Sequence, residues 1–146
     1  MQLGRGFNEI SVGTCFDSSM TLTETHLVLG AGLFGDFNPL HVNQRMAEGS
    51  RFGGRIAHGY LTTSFMAAAL GMLFHGTAHA YLEHTSRFKA PVRAGDTLTI
   101  RWTVTALTPK PHHDAGIVVL AGVCANQDDE VVAEAEASML IGNNRD

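Results

Sequence analysis

Residues 35–41 read GDFNPLH, placing a carboxylate, an amide, a proline and an imidazole within seven positions. Pro39 fixes its own φ and pushes Asn38 toward an extended conformation. The segment is therefore expected to be a stiff turn, not a helix. Such a turn holds Asp36 and His41 in a defined relation, so that both side chains can converge on one small object such as a water molecule. A carboxylate and an imidazole on one water do general acid–base work, and each such group typically contributes about 10²–10⁴-fold. The same residue types are also ordinary turn formers, bonding through their side chains to nearby backbone.

A second stretch, GGRIAHGYLTTSF at 53–65, places His58 and Gly59 just ahead of an apolar segment that reads as a helix. The first amides of a helix lack internal acceptors and sit at the positive end of its dipole. Glycine lets a ligand carbonyl approach that backbone. The Gly59 N–H is thus a candidate donor to a developing oxyanion, such as the enolate oxygen of a thioester. Removing a good donor of this kind costs on the order of 3 kcal/mol. The plainer reading is that the pair caps the helix and eases its packing.

The elements that must position these groups follow from periodicity. In TLTIRWTVT at 97–105, Leu98, Ile100, Trp102 and Val104 alternate with threonines and Arg101, the pattern of a half-buried strand. YLEHTSRFKAPV, before it, also alternates, and RAGD at 93–96 is expected to be the turn joining the two. GIVVLAGVCA is apolar on both faces, as a central strand would be. VVAEAEASMLI points Glu134 and Glu136 outward, and NQDD at 126–129 closes a hairpin between these last two. Four consecutive antiparallel strands are expected, with a further short strand near Thr14–Met20. LTTSFMAAALGMLF at 61–74 carries no charge, so the helix is expected to be buried on all sides. A shorter helix is expected at 25–34, with Thr21 and Glu24 spaced as a capping box and Thr23 as an alternative N-cap. The whole of 1–146 then reads as one α+β domain, a curved antiparallel sheet around a long central helix: the hotdog arrangement.

Composition narrows the partners. The 146 residues carry a net charge of −4, too acidic for bulk binding to nucleic acid or an anionic membrane. No apolar run is long enough to span a bilayer, and MQLGRGFNEI lacks the apolar core of a signal peptide. Cys15 and Cys124 stand far apart, fitting free thiols in a reducing cytoplasm better than a disulfide framework. Charged residues are only 16 %, which fits burial of surface in an oligomer.

GDFNPLH followed by AHG resembles the signature of the MaoC-like dehydratases and R-specific enoyl-CoA hydratases of the hotdog superfamily. The likeness runs from about Thr23 to Ile141. It implies reversible syn addition of water to a trans-2-enoyl thioester, giving an R-3-hydroxyacyl thioester, with no metal or redox cofactor. Asp36 and His41 match the pair that holds and activates the water, and Gly59 matches the amide that polarises the thioester carbonyl. Asn38, His58 and Tyr60 are expected at the substrate site, Asn38 by ordering the loop and Tyr60 by narrowing or polarising the acyl pocket. Asn43 stands where many relatives have aspartate, and Tyr60 where many have methionine. The substrate would be an acyl-CoA or acyl-carrier thioester, and the hotdog family usually pairs sheet edges, so a homodimer or higher assembly is expected. A hotdog thioesterase is the first alternative, weakened by the lack of Asp or Glu in residues 60–74. A non-catalytic thioester-binding subunit is the second.

Other features carry plainer expectations. His75 and His79 are taken as a solvated loop, and TPKPHHDAG at 108–116 as a loop. Arg87, Lys89 and Arg93 are candidates for carrier phosphates, set against an ordinary charged strand face.

Overall fold

The alternation around Trp102 folds as read. In the computed structural model, which describes residues 4–144, it lies within a long strand, Thr97–Lys110. Five strands form one antiparallel sheet: β1 (Cys15–Thr21), β2 (Ala78–Phe88), β3 (Thr97–Lys110), β4 (Ala115–Ala125) and β5 (Val131–Gly142). Their order across the sheet is β1-β3-β4-β5-β2, so the strand that is apolar on both faces, β4, is central as expected. Leu98, Ile100, Trp102 and Val104 are buried along β3, joined by Val118 and Leu120 from β4 and Ala137, Met139 and Ile141 from β5.

The helices are α1 (Glu24–Phe34), α2 (Pro39–Val42), α3 (Gln44–Glu48) and α4 (Gly59–Leu73). The long helix α4 turns Leu61, Met66 and Leu70 into the core beside the strand residues. Trp102 locks the two layers together, because its indole N–H donates to the Met66 carbonyl of α4 at 3.0 Å. The ring reaches that far because Gly122, opposite Trp102 on β4, leaves room for it. A Cβ at Gly122 would lie 2.7 Å from the ring.

Several expectations are corrected. RAGD does not close a hairpin: β2 pairs with β5 at the far edge, while β3 lies between β1 and β4. The segment 89–96 instead crosses past two strands. Three interstrand spacings need only about 14 Å, and eight extended residues reach roughly 26 Å, so a short connection does not compel adjacent pairing. Residues 108–116 are not a loop; β3 runs to Lys110, and a single 3-10 turn at Pro111–His113 leads into β4. His79 belongs to β2 and not to a loop. The α1 cap is Thr23, whose hydroxyl and backbone N–H both meet His26 Nδ1 at 2.9 Å. Thr21 is in β1, its hydroxyl 2.9 Å from that of Thr97, so the Thr21–Glu24 box does not form.

The long helix is not buried on all sides. Tyr60, Ser64, Ala68 and Met72 form an exposed stripe along α4. The edge strand β2 exposes Tyr81, Leu82 and Phe88. No helix among the described residues is long and apolar enough to cross a membrane.

Packing of Trp102 against Gly122 carries a consequence for stability. Gly122→Ala forces a methyl into a buried ring that is held by its own hydrogen bond. Overpacking of this kind costs about 1–3 kcal/mol, to be read as a lower urea midpoint. An unchanged midpoint would mean that the ring moves freely.

Candidate active site

Asp36 follows Gly35, whose φ of +67° ends α1 in the left-handed conformation that glycine adopts without strain. The turn is then built by side-chain bonds. Asp36 Oδ1 accepts the Asn38 N–H at 3.1 Å, and Asn38 Oδ1 accepts the Leu40 N–H at 3.0 Å. Asn38 is thus the N-cap of α2, with Pro39 at its first position, where a missing N–H costs nothing. The expectation of a turn and not a helix is half corrected: residues 36–38 are the turn, and His41 rides on one helical turn begun by Pro39. Asn43, the departure from the family pattern, caps α3 by accepting the Met46 N–H at 3.0 Å.

His41 is oriented from behind. Its Nδ1 lies 2.8 Å from the Ile56 carbonyl, which can only accept, so Nδ1 carries the proton. Nε2 is left with its lone pair facing Asp36 Oδ2 at 3.8 Å. That gap is too long for a direct hydrogen bond and suits one shared water.

His58 is 1 % exposed. It donates Nε2–H to the Asp36 carbonyl at 2.9 Å and stacks on His41, with ring centroids 3.8 Å apart. It thereby fastens the turn to the start of α4. Phe34 packs edge-on against its other side. Asp36, His41 and His58 bring possible metal-ligand atoms within 4.8 Å of one another. The carbonyl bonds of His41 Nδ1 and His58 Nε2 leave His41 Nε2 and the buried His58 Nδ1 as the unengaged ring nitrogens, and His41 Nε2 is the one that faces the Asp36 carboxylate at 3.8 Å.

Gly59 opens α4, and among the described residues its N–H meets no acceptor. Two cavities meet here. One, of about 550 Å³, is lined by Asp36, Gly59, Tyr60, Thr63, His84 and Ser86. The other, of about 320 Å³, is lined by His41, Arg51, Phe52, Ala57, Lys89 and Val92. Gly59 and Phe88 line both. A Cβ at Gly59 would lie 2.9 Å from the Phe88 ring, so only glycine lets that ring approach the helix start. Tyr60 is exposed at the cavity mouth. A larger cavity of about 660 Å³ lies between α4 and β1, away from the GDFNPLH turn.

The candidate phosphate-binding cations are partly committed elsewhere. Arg93 donates to the Phe52 and Arg55 carbonyls, bracing the segment before α4. Lys89 pairs with Glu134 at 3.0 Å. Thr63, His84 and Ser86 join the site without a sequence motif of their own; their signal is periodicity, since His84, Ser86 and Phe88 alternate onto one face of β2 and Thr63 lies one helical turn beyond Gly59.

Comparison with known proteins bears on this arrangement. Residues 8–126 match the family described as the MaoC like domain. The chain belongs to the MaoC-like family. It is 38 % identical over 135 residues to the (R)-specific enoyl-CoA hydratase of Rhodospirillum rubrum, covering 92 % of this chain and 90 % of that one. The unliganded R-hydratase of Pseudomonas aeruginosa superposes with a TM-score of 0.86 at 30 % identity, covering 97 % of this chain and 88 % of that one. A Mycobacterium tuberculosis protein with a double hotdog fold superposes with a TM-score of 0.85 at 22 % identity, covering 98 % of this chain and 46 % of its own. That likeness speaks to the fold alone, which is the hotdog fold.

Proposed function

We propose that this MaoC-like protein is an R-specific enoyl-thioester hydratase, adding water reversibly to a trans-2-enoyl-CoA to give an R-3-hydroxyacyl-CoA. The observation that carries the reading is the 3.8 Å gap between His41 Nε2 and Asp36 Oδ2, beside an unclaimed helix-start amide. The water sits in that gap. The thioester oxygen accepts the Gly59 N–H. The water oxygen bonds to C3 while its proton passes to the Asp36–His41 pair, and the C2–C3 π electrons move onto the thioester oxygen as an enolate. The pair then returns that proton to C2, and the carbonyl re-forms. One H₂O has been added and the enzyme is unchanged. Because one pair delivers both parts of the water, the addition is syn. Asn38 and His58 act here as positioning residues, holding the turn and the Asp36 backbone.

The assembly belongs to the same reading. The bare edge of β2 and the exposed stripe of α4 support a homodimer or larger assembly joined along β2, since an unpaired edge strand invites pairing. A cytoplasmic setting is part of it too, supported by Cys15 and Cys124, both free thiols. One continuous domain spanning 1–146 completes it.

Two measurements test this. Asp36→Asn should lower hydration of crotonyl-CoA, followed by loss of enoyl absorbance, at least about 10²-fold with the melting temperature held. Retained turnover contradicts the assignment, and thiol release in place of hydration points to the thioesterase. Sedimentation equilibrium should give at least a dimer; a monomer at micromolar concentration rules the assembly out.

A further inference from the structure

The larger site cavity, which Asp36 lines, has a polar wall. Thr63 Oγ1 lies 2.6 Å from His84 Nε2, His84 Nε2 lies 3.0 Å from Ser86 Oγ, and the two hydroxyls are also in contact. Tyr81 closes the back of the ring, its hydroxyl 2.7 Å from His84 Nδ1. Trp102 packs edge-on against the imidazole. Burial lowers the His84 pKa, favouring the neutral ring.

Hydrogen counting then gives the wall a definite character. Suppose Tyr81 donates to Nδ1. Nε2–H donates to one of the two hydroxyls, and one hydroxyl donates to the other. One hydrogen of Thr63 or Ser86 is left over, and both residues line the cavity. In the other tautomer both of those hydrogens are used and the spare one is that of Tyr81. These four side chains make no other hydrogen bond among the described residues. In the first tautomer the wall therefore turns one unused hydroxyl hydrogen on the cavity, beside hydroxyl lone pairs that stay open. An alkyl chain pressed against it would strip water from a hydroxyl and offer nothing in return, whereas an oxygen acceptor would complete the network.

We infer that Thr63, His84 and Ser86 form a specificity wall for the acyl chain, and that the substrate carries a hydrogen-bond-accepting oxygen beyond its double bond. The inference rests on the hydratase reading above. With the thioester oxygen on Gly59, the chain runs along α4 toward Thr63, one turn or about 6 Å away. A hydroxyl, a ketone or a carboxylate supplies the acceptor chemistry.

Three substrates of equal chain length test it: trans-hex-2-enoyl-CoA, its 6-hydroxy derivative, and trans-hex-2-enedioyl-CoA. Wild-type kcat/KM should favour at least one oxygenated substrate over hexenoyl-CoA by about tenfold or more. Which one is favoured separates a neutral from an anionic acceptor. That ratio should collapse toward one in Thr63→Val and His84→Phe and should survive in Thr63→Ser. A preference for hexenoyl-CoA over both, or a ratio unmoved in both variants, overturns the inference. A wall that merely glues β2 to α4 would lower the melting temperature and leave the ratio alone. If none of the three is hydrated, the hydratase reading fails by itself. Calorimetric binding of the saturated thioesters then decides the wall: tighter binding of an oxygenated one supports it, and equal binding overturns it.

Discussion

The hydrogen bond from His41 Nδ1 to the Ile56 carbonyl is the constraint on which the site depends. It fixes the imidazole tautomer and turns the Nε2 lone pair toward Asp36. It also ties α2 to the segment that leads into α4, a tie doubled by the Ile56 N–H, which donates to Leu40. Without that anchor the two signature stretches would be separate loops. With it, the carboxylate and the imidazole line two cavities that meet at Gly59 and Phe88. His58 reinforces the same junction from the buried side, holding the Asp36 carbonyl and stacking on His41.

The sheet supports this junction at a distance. Trp102 binds the middle of α4 to β3, and Val92, a buried residue of the crossing segment, accepts the Ala57 N–H at 2.7 Å through its carbonyl. The start of α4 is therefore held from both directions: by the core along its length and by the crossing segment just before His58. A helix start fixed in this way can present an amide without reorganising when charge develops on a bound oxygen, which is where electrostatic catalysis gains most.

Much of this was legible in the sequence because it rests on local rules. Alternation placed β3, two-sided apolarity placed β4 at the centre, and Pro39 after Asn38 placed the turn. What was not legible depends on contacts distant in sequence. The crossing of 89–96 looks like a hairpin because chain length alone does not choose a strand's partner. Of the two α1 caps the sequence offers, Thr23 forms and the Thr21–Glu24 box does not, because His26 bonds the Thr23 backbone and hydroxyl, a role that the usual Glu or Gln pattern does not signal. The exposed stripe of α4 escaped because a chargeless helix suggests full burial, while the sheet covers only part of it. The Thr63–His84–Ser86 cluster needs α4 and β2 to be brought together, so periodicity places its members on faces without revealing that the faces meet.

The most direct test of the account is the tautomer of His41. A long-range ¹H–¹⁵N imidazole spectrum of the protein, recorded with the ring neutral and assigned through His41→Gln, should show the proton on Nδ1 and a pyridine-like Nε2. A proton on Nε2 would remove the lone pair that faces Asp36 and contradict the shared-water site.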